Sequence, residues 1–158
     1  MALFAKPKIK RSRDGSYDVN LETWERDLLR TLPGQLRDLL TTDDPALERL
    51  YPPAYVDDAE RNDEYQRLMR GDLTSRRLSS LDVMEATVDE PRLDEEQLVA
   101  WMGAINDLRL VLGTRLDVTD DPLEDQVDEG DERAPAFALY GYLGWLQEAV
   151  VAALSSGL

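Results

Sequence analysis

Trp24, Leu28, Leu32, Leu36 and Leu39 recur at spacings of four and three. That period matches the turn of an α-helix, so all five fall on one face that needs an apolar partner. The same period returns in Leu98, Trp101, Ile105, Leu108, Leu112 and Leu116, and a third apolar run, "FALYGYLGWLQEAVVAAL", lies near the C-terminal end. Such stripes are satisfied by covering one another, which is a helical bundle. A chain of 158 residues, 42% hydrophobic and 32% charged, is the size of one domain, here 1–158, with a core of its own. The expected fold is mostly α: a single-domain helical bundle of about five to six helices with an N-terminal β-hairpin.

The hairpin is expected over about 6–20, in "KPKIKRSRDGSYDVNLE". Asp14-Gly15 suits a two-residue type I′ turn, whose central positions both need positive φ. Ile9 would meet Tyr17 and Val19 across it. Pro33-Gly34 predicts a kink or two abutting helices, because proline removes a donor and crowds the preceding turn. Asp44 and Pro45 predict the cap and first turn of a short helix that Pro52-Pro53 ends. Gly71 predicts the end of a helix that turns Tyr65, Leu68 and Met69 inward. A further helix would bury Leu73, Leu78, Leu81 and Met84 or Val88. Asp94 and Gln97 have the spacing of a capping box and open the helix of the second stripe. The last helix is expected from about Pro135 to Ser155.

The absence of cysteine and histidine narrows the chemistry. It removes disulfides, thiolate nucleophiles, zinc–thiolate sites, the usual neutral-pH base and the commonest transition-metal ligand. Nine acids crowd residues 117–132, but they fail the spacing of a calcium loop. With Gly130 at the sixth position, Val127 falls where an oxygen ligand is needed and Ala136 where a glutamate is needed. An acidic flexible loop over about 118–133 is expected instead. No phosphate-cradling glycine loop or cofactor fingerprint is present, and no acid pair stands out for glycosidase-type chemistry. The expectation is a protein without catalytic, cofactor-binding or metal-binding residues, and not an enzyme.

Net charge is -15, yet residues 1–13 hold five cations and no acid. The remainder carries 13 basic and 33 acidic side chains, a balance of -20. Long-range repulsion from nucleic acid and anionic membranes follows. Lys8, Lys10, Arg11 and Arg13 are the candidate contacts for an acidic partner surface. Gln147 and Glu148 interrupt the last apolar run, which argues against a membrane span. With no cysteine and no apolar leader, a cytoplasmic location is expected.

The second stripe also carries Asn106, Asp107 and Arg109 among apolar neighbours. Residues two apart cannot face each other on a helix, so Asp107 and Arg109 need partners from other elements. Glu148, Asp57 and Asp58 are the candidates. Asn106, Asp107, Arg109 and Glu148 are therefore expected to form a buried structural cluster that ties helices together. Gly141 and Gly144 are expected to allow close helix contact.

In order along the chain, "KIKRSRDGSYDVNL", "LRTLPGQLRDLL", "DPALERLYPPAY", "INDLRLVLGTRL" and "YGYLGWLQEAVVAAL" resemble the actinobacterial uncharacterised-domain family that includes the actinomycete oxidative stress regulator, AosR. The resemblance runs from about Phe4 to Leu154. It implies a cytosolic, non-enzymatic transcription regulator. Such a protein acts with an alternative sigma factor on RNA polymerase at oxidative-stress and cysteine-biosynthesis genes. Thiol-sensing members carry a close pair of N-terminal cysteines, whereas this chain has "MALFAKPKIK" there, so thiol sensing does not carry over. The implied partner is a protein, with a homodimer open as a second assembly and nucleic acid engaged only indirectly. Direct DNA binding through the basic hairpin and an adaptor role in proteolysis are the alternatives.

Overall fold

The computed structural model describes residues 6–119, 121, 126, 128 and 130–157. The N-terminal segment pairs strands β1 (Ile9–Arg11) and β2 (Tyr17–Val19) in antiparallel register, Ile9 opposite Val19. Its turn differs from expectation. Only Gly15 has positive φ, at 87°, and the Gly15 amide donates to Ser12 O while the Ser12 amide donates to Ser16 O. This is a three-residue loop with a left-handed glycine, which leaves Asp14 free to accept from the Ser16 amide at 3.0 Å. A third strand, β3 (Arg92–Leu93), pairs with β2 and makes a sheet ordered β1-β2-β3. Ile9, Tyr17, Val19 and Leu93 turn its apolar face onto the helices.

Helix α1 (Thr23–Leu40) runs through Pro33 as one helix rather than two. Pro33 is itself buried, in phase with Leu29, Leu32, Leu36 and Leu40, so burial of that stripe offsets the lost hydrogen bond. Trp24 belongs to the other side and is 55% exposed. A short 3-10 helix (Pro45–Leu50) follows, capped by Asp44, whose carboxylate accepts from the Ala46 amide at 2.8 Å.

Helix α2 (Ala59–Thr87) is also continuous; Gly71 lies inside it with open space around it and ends nothing. Its first half is largely solvated, and Leu68 stays 69% exposed, contrary to the inward position expected. Its second half buries Leu81 and Met84 against α1 and α3. Helix α3 (Glu95–Arg115) starts at the expected box, in which Asp94 accepts from the Gln97 amide at 2.8 Å and Gln97 accepts from the Asp94 amide at 2.9 Å. It ends with Asp117 at φ 54°, the Val118 amide donating to Gly113 O and the Asp117 amide to Thr114 O. This pairing satisfies carbonyls that the helix end would otherwise strand.

Helix α4 (Ala134–Ser155) buries Phe137, Leu143, Leu146, Val150 and Ala153. By length and composition it alone among the described helices could cross a membrane. Here those buried residues pack it against α3 and the sheet. Leu98, Trp101, Ala104 and Ile105 of α3 are fully buried, so α3 is the central helix of the bundle. The Trp101 indole donates to Thr87 Oγ1 at 2.8 Å, leaving no orphan donor there. Among the described residues, five helices and a small sheet thus form one mostly α domain. The acidic loop expected over 118–133 lies partly outside the described residues.

Candidate functional site

Helix α3 carries two polar sites on opposite sides, and they are built differently. Asp107, 3% exposed, meets Arg77 of α2 at 2.6 Å. The same guanidinium donates to Leu50 O at 2.6 Å and lies 5.6 Å from the Tyr51 ring centroid. Burial pushes the Asp107 pKa above the usual aspartate range, although the Arg77 charge and hydrogen bond oppose it. The pair joins α2, α3 and the end of the 3-10 helix. Asp57, Asp58 and Glu148 take no part in it. Arg77 was not foreseen, yet it sits four residues from both Leu73 and Leu81, a cation in the phase of an apolar stripe.

Arg109 has no carboxylate partner among the described residues. Among the described residues it makes one hydrogen bond, at 3.4 Å, to Gln147 Oε1 of α4. Gln147 Nε2 in turn donates to Asn106 Oδ1 at 3.2 Å, so Asn106 joins the group through Gln147. Arg109 Nε is buried without an acceptor among the described residues, as is Arg77 Nε on the other side of the helix. The guanidinium lies 4.9 Å from the Tyr140 ring centroid and flat against Gly144, where a methyl group would fall 3.1 Å from Nε. Gly144 is therefore small to admit a side chain. Glu148 is exposed, not part of a buried cluster, because its position on α4 faces away from the core. Arg109, Tyr140, Trp145, Glu148 and Asp121 line a groove of about 890 Å³ between the end of α3 and α4.

A third polar centre escaped the sequence reading. Glu25 is fully buried and in phase with Leu29 and Leu32. It accepts from the Glu22 amide at 2.8 Å, Lys8 Nζ at 2.9 Å and Tyr142 Oη at 3.0 Å. Burial raises its pKa, but the Glu22 amide, Lys8 and Tyr142 outweigh it and hold the carboxyl below its ordinary value. Tyr142 is pushed far above the ordinary phenol range, by burial first and then by the Glu25 charge.

Above this centre the surface is aromatic. Trp24 and Trp145, 55% and 46% exposed, flank Tyr142 with ring centroids 5.4 and 6.0 Å from it. Lys8 Nζ lies 5.9 Å from the Trp145 ring centroid. Of the four basic hairpin residues, Lys8 is thus tied to Glu25 rather than presented to solvent. Arg11 lies beside Gly157, where a methyl group would fall 2.8 Å from its Cζ, at the C-terminal end of α4. Lys10 and Arg13 point to solvent. No group of three acids positioned for a metal ion occurs among the described residues.

Among the described residues these features define a small helical domain with two buried carboxylates each paired with a cation, an open groove of mixed charge and an exposed aromatic patch beside a basic strand. The chain belongs to the DUF2017 family, a domain of unknown function, whose match covers residues 6–154. It is similar to a Mycobacterium leprae (strain TN) protein provisionally named oxidative stress regulator AosR. The two are 33% identical over 130 residues, covering 71% of this chain and 59% of that relative. The chain thus spans less than two thirds of the relative's length. No solved structure matches the chain.

Proposed function

We propose that this protein is a cytoplasmic, non-enzymatic regulator that works by docking on another protein, in the control of oxidative-stress and cysteine-biosynthesis genes. The naming of the Mycobacterium leprae relative as an oxidative stress regulator supports the regulatory role. The partner we propose is an alternative sigma factor or RNA polymerase. The observation that carries the docking reading is the pair of half-exposed tryptophans, Trp24 and Trp145, around Tyr142 beside the one acid-free basic segment of the chain. Exposed tryptophans clustered in one patch are what a binding hot spot on a partner protein uses, and the neighbouring basic strand favours an acidic partner surface. Control by a thiol switch has no residue to act on here, because cysteine is absent.

Direct DNA binding is the weaker reading. Lys8 of the four hairpin cations is engaged within the fold, and the rest of the chain is strongly acidic. The test is titration of the purified chain with RNA polymerase core, with holoenzymes carrying each alternative sigma factor, and with promoter duplex. Binding to a holoenzyme or sigma factor is expected, weakened about tenfold or more by Trp24→Ser with Trp145→Ser. Failure to bind any of them, or binding indifferent to both tryptophans, would reject the reading.

A further inference from the structure

We propose that the Arg109 groove binds a small zwitterion of the amino-acid or short-peptide class, carboxylate on Arg109 and ammonium toward Glu148. This goes beyond partner docking and does not depend on it.

The argument starts from unused donors. A guanidinium offers five N–H donors, and buried ones are ordinarily matched by acceptors. Elsewhere in this bundle such guanidinium groups hold carboxylates or backbone carbonyls: Arg26 donates to the carbonyls of Val19, Val88 and Glu90, and Arg37 to Asp82 and Glu85. Arg77 holds Asp107 and Leu50 O, although its Nε, like that of Arg109, is buried with no acceptor among the described residues. Arg109 has a single 3.4 Å contact with a neutral amide, and among the described residues no carboxylate pairs with it. Gly144 lets its plane lie flat against α4, and Tyr140 stacks on it, so its orientation is set before any ligand arrives. A flat, preset fork matches a carboxylate's two oxygens.

The rest of the groove decides what else the ligand carries. Glu148 and Asp121 line the same space as Arg109. A simple anion would face both carboxylates as well as a molecule of net charge -15. A simple amine would gain nothing from Arg109. One molecule bearing both charges satisfies both ends, and its ammonium can also rest on the exposed face of Trp145. The volume of about 890 Å³ leaves room beside the two charged ends for a side chain or a second residue.

The full-length chain would be titrated with the common L-amino acids, the dipeptides glycyl-leucine and leucyl-glycine, and the single-charge controls propionate and propylamine. The readout is the indole N–H signal of Trp145, assigned by its loss in Trp145→Phe. At least one zwitterion should shift it saturably, with both controls at least about tenfold weaker. Arg109→Gln should abolish the shift. Glu148→Gln alters an exposed side chain, so folding is not at stake, and should weaken the zwitterion about tenfold without weakening propionate. If Arg109→Gln does not fold, Glu148→Gln decides. Whether free amino acid or dipeptide binds more tightly names the source. The proposal is overturned if no zwitterion gives a saturable shift, if propionate binds as tightly as the best zwitterion, or if Glu148→Gln binds like the parent chain.

Discussion

Asp107 and Arg109 stand two residues apart on one helix, and their surroundings are opposite. Asp107 is sealed against Arg77, while Arg109 opens on a groove and pairs with no carboxylate among the described residues. A sealed pair resists the removal of either member, because the survivor is a charge left without its partner in the interior. A cation that holds no anion has little to lose when it goes. Identical chemistry in sequence, charged residues inside an apolar helix, therefore separates into a structural element and an open position according to what the neighbouring helix supplies.

The largest expected effect is on the sealed side. Arg77→Met should cost about 3–5 kcal/mol at neutral pH, read from urea denaturation, because Asp107 then lies buried and alone. That loss should shrink in acid. Asp107 already binds its proton more readily in the folded chain than an ordinary aspartate does, so protonation favours folding as pH falls through its raised pKa. A variant equally stable at neutral pH would erase the contrast with Arg109.

Glu25→Gln comes next, at roughly 1.5–3 kcal/mol, since it removes a charge that Lys8, Tyr142 and the Glu22 amide all address. Its pH dependence runs opposite to that of Asp107. The Glu25 carboxyl is held below its ordinary value, so its contribution is intact above the usual glutamate range and is lost as pH falls through the lowered pKa. Stability curves of parent and variant should converge in acid; parallel curves would refute the role given to Glu25.

Two glycines sharpen the comparison at a smaller scale. A methyl group at Gly113 would lie 3.0 Å from the Tyr140 ring and 3.2 Å from Arg49 Nη1, so Gly113→Ala should cost about 1–3 kcal/mol. At Gly144 the obstacle is Arg109, a side chain bordering the groove that need give by only a few tenths of an ångström. Gly144→Ala should then be neutral or stabilising by less than about 1 kcal/mol, through helix propensity. Thermal denaturation of both variants tests the difference.

The smallest effect is expected for Arg109→Met, within about 0.5 kcal/mol of the parent chain in urea denaturation, because an apolar chain replaces a buried, unmatched donor. A loss as large as that for Arg77→Met would mean that Arg109 is sealed as well.

Much of the fold was legible in residue spacing. The stripes of α1 and α3, the Asp94–Gln97 box and the Asp44-Pro45 start each depend on residues within one or two turns of each other. Where local signals failed, tertiary burial overrode them. Pro33 was carried inside α1 by the packing of its own face, and Gly71 was carried inside a long α2. The hairpin's third partner, Arg92–Leu93, lies far along the chain and leaves no local mark on residues 9–19.

The site was legible only by halves. Asn106, Asp107 and Arg109 stood out as polar residues in an apolar helix, and the sequence alone required that they find partners elsewhere. It also determined, by the absence of cysteine, that no disulfide or thiol switch can form within the chain. Which partners they found was a tertiary matter. Arg77 reaches Asp107 across 30 residues, and Gln147 reaches Arg109 across 38, whereas Glu148, one residue further on, faces outward. A helix turns about 100° per residue. A single step along α4 therefore separates a side chain that meets α3 from one that meets water, and only the docking of the two helices decides which is which.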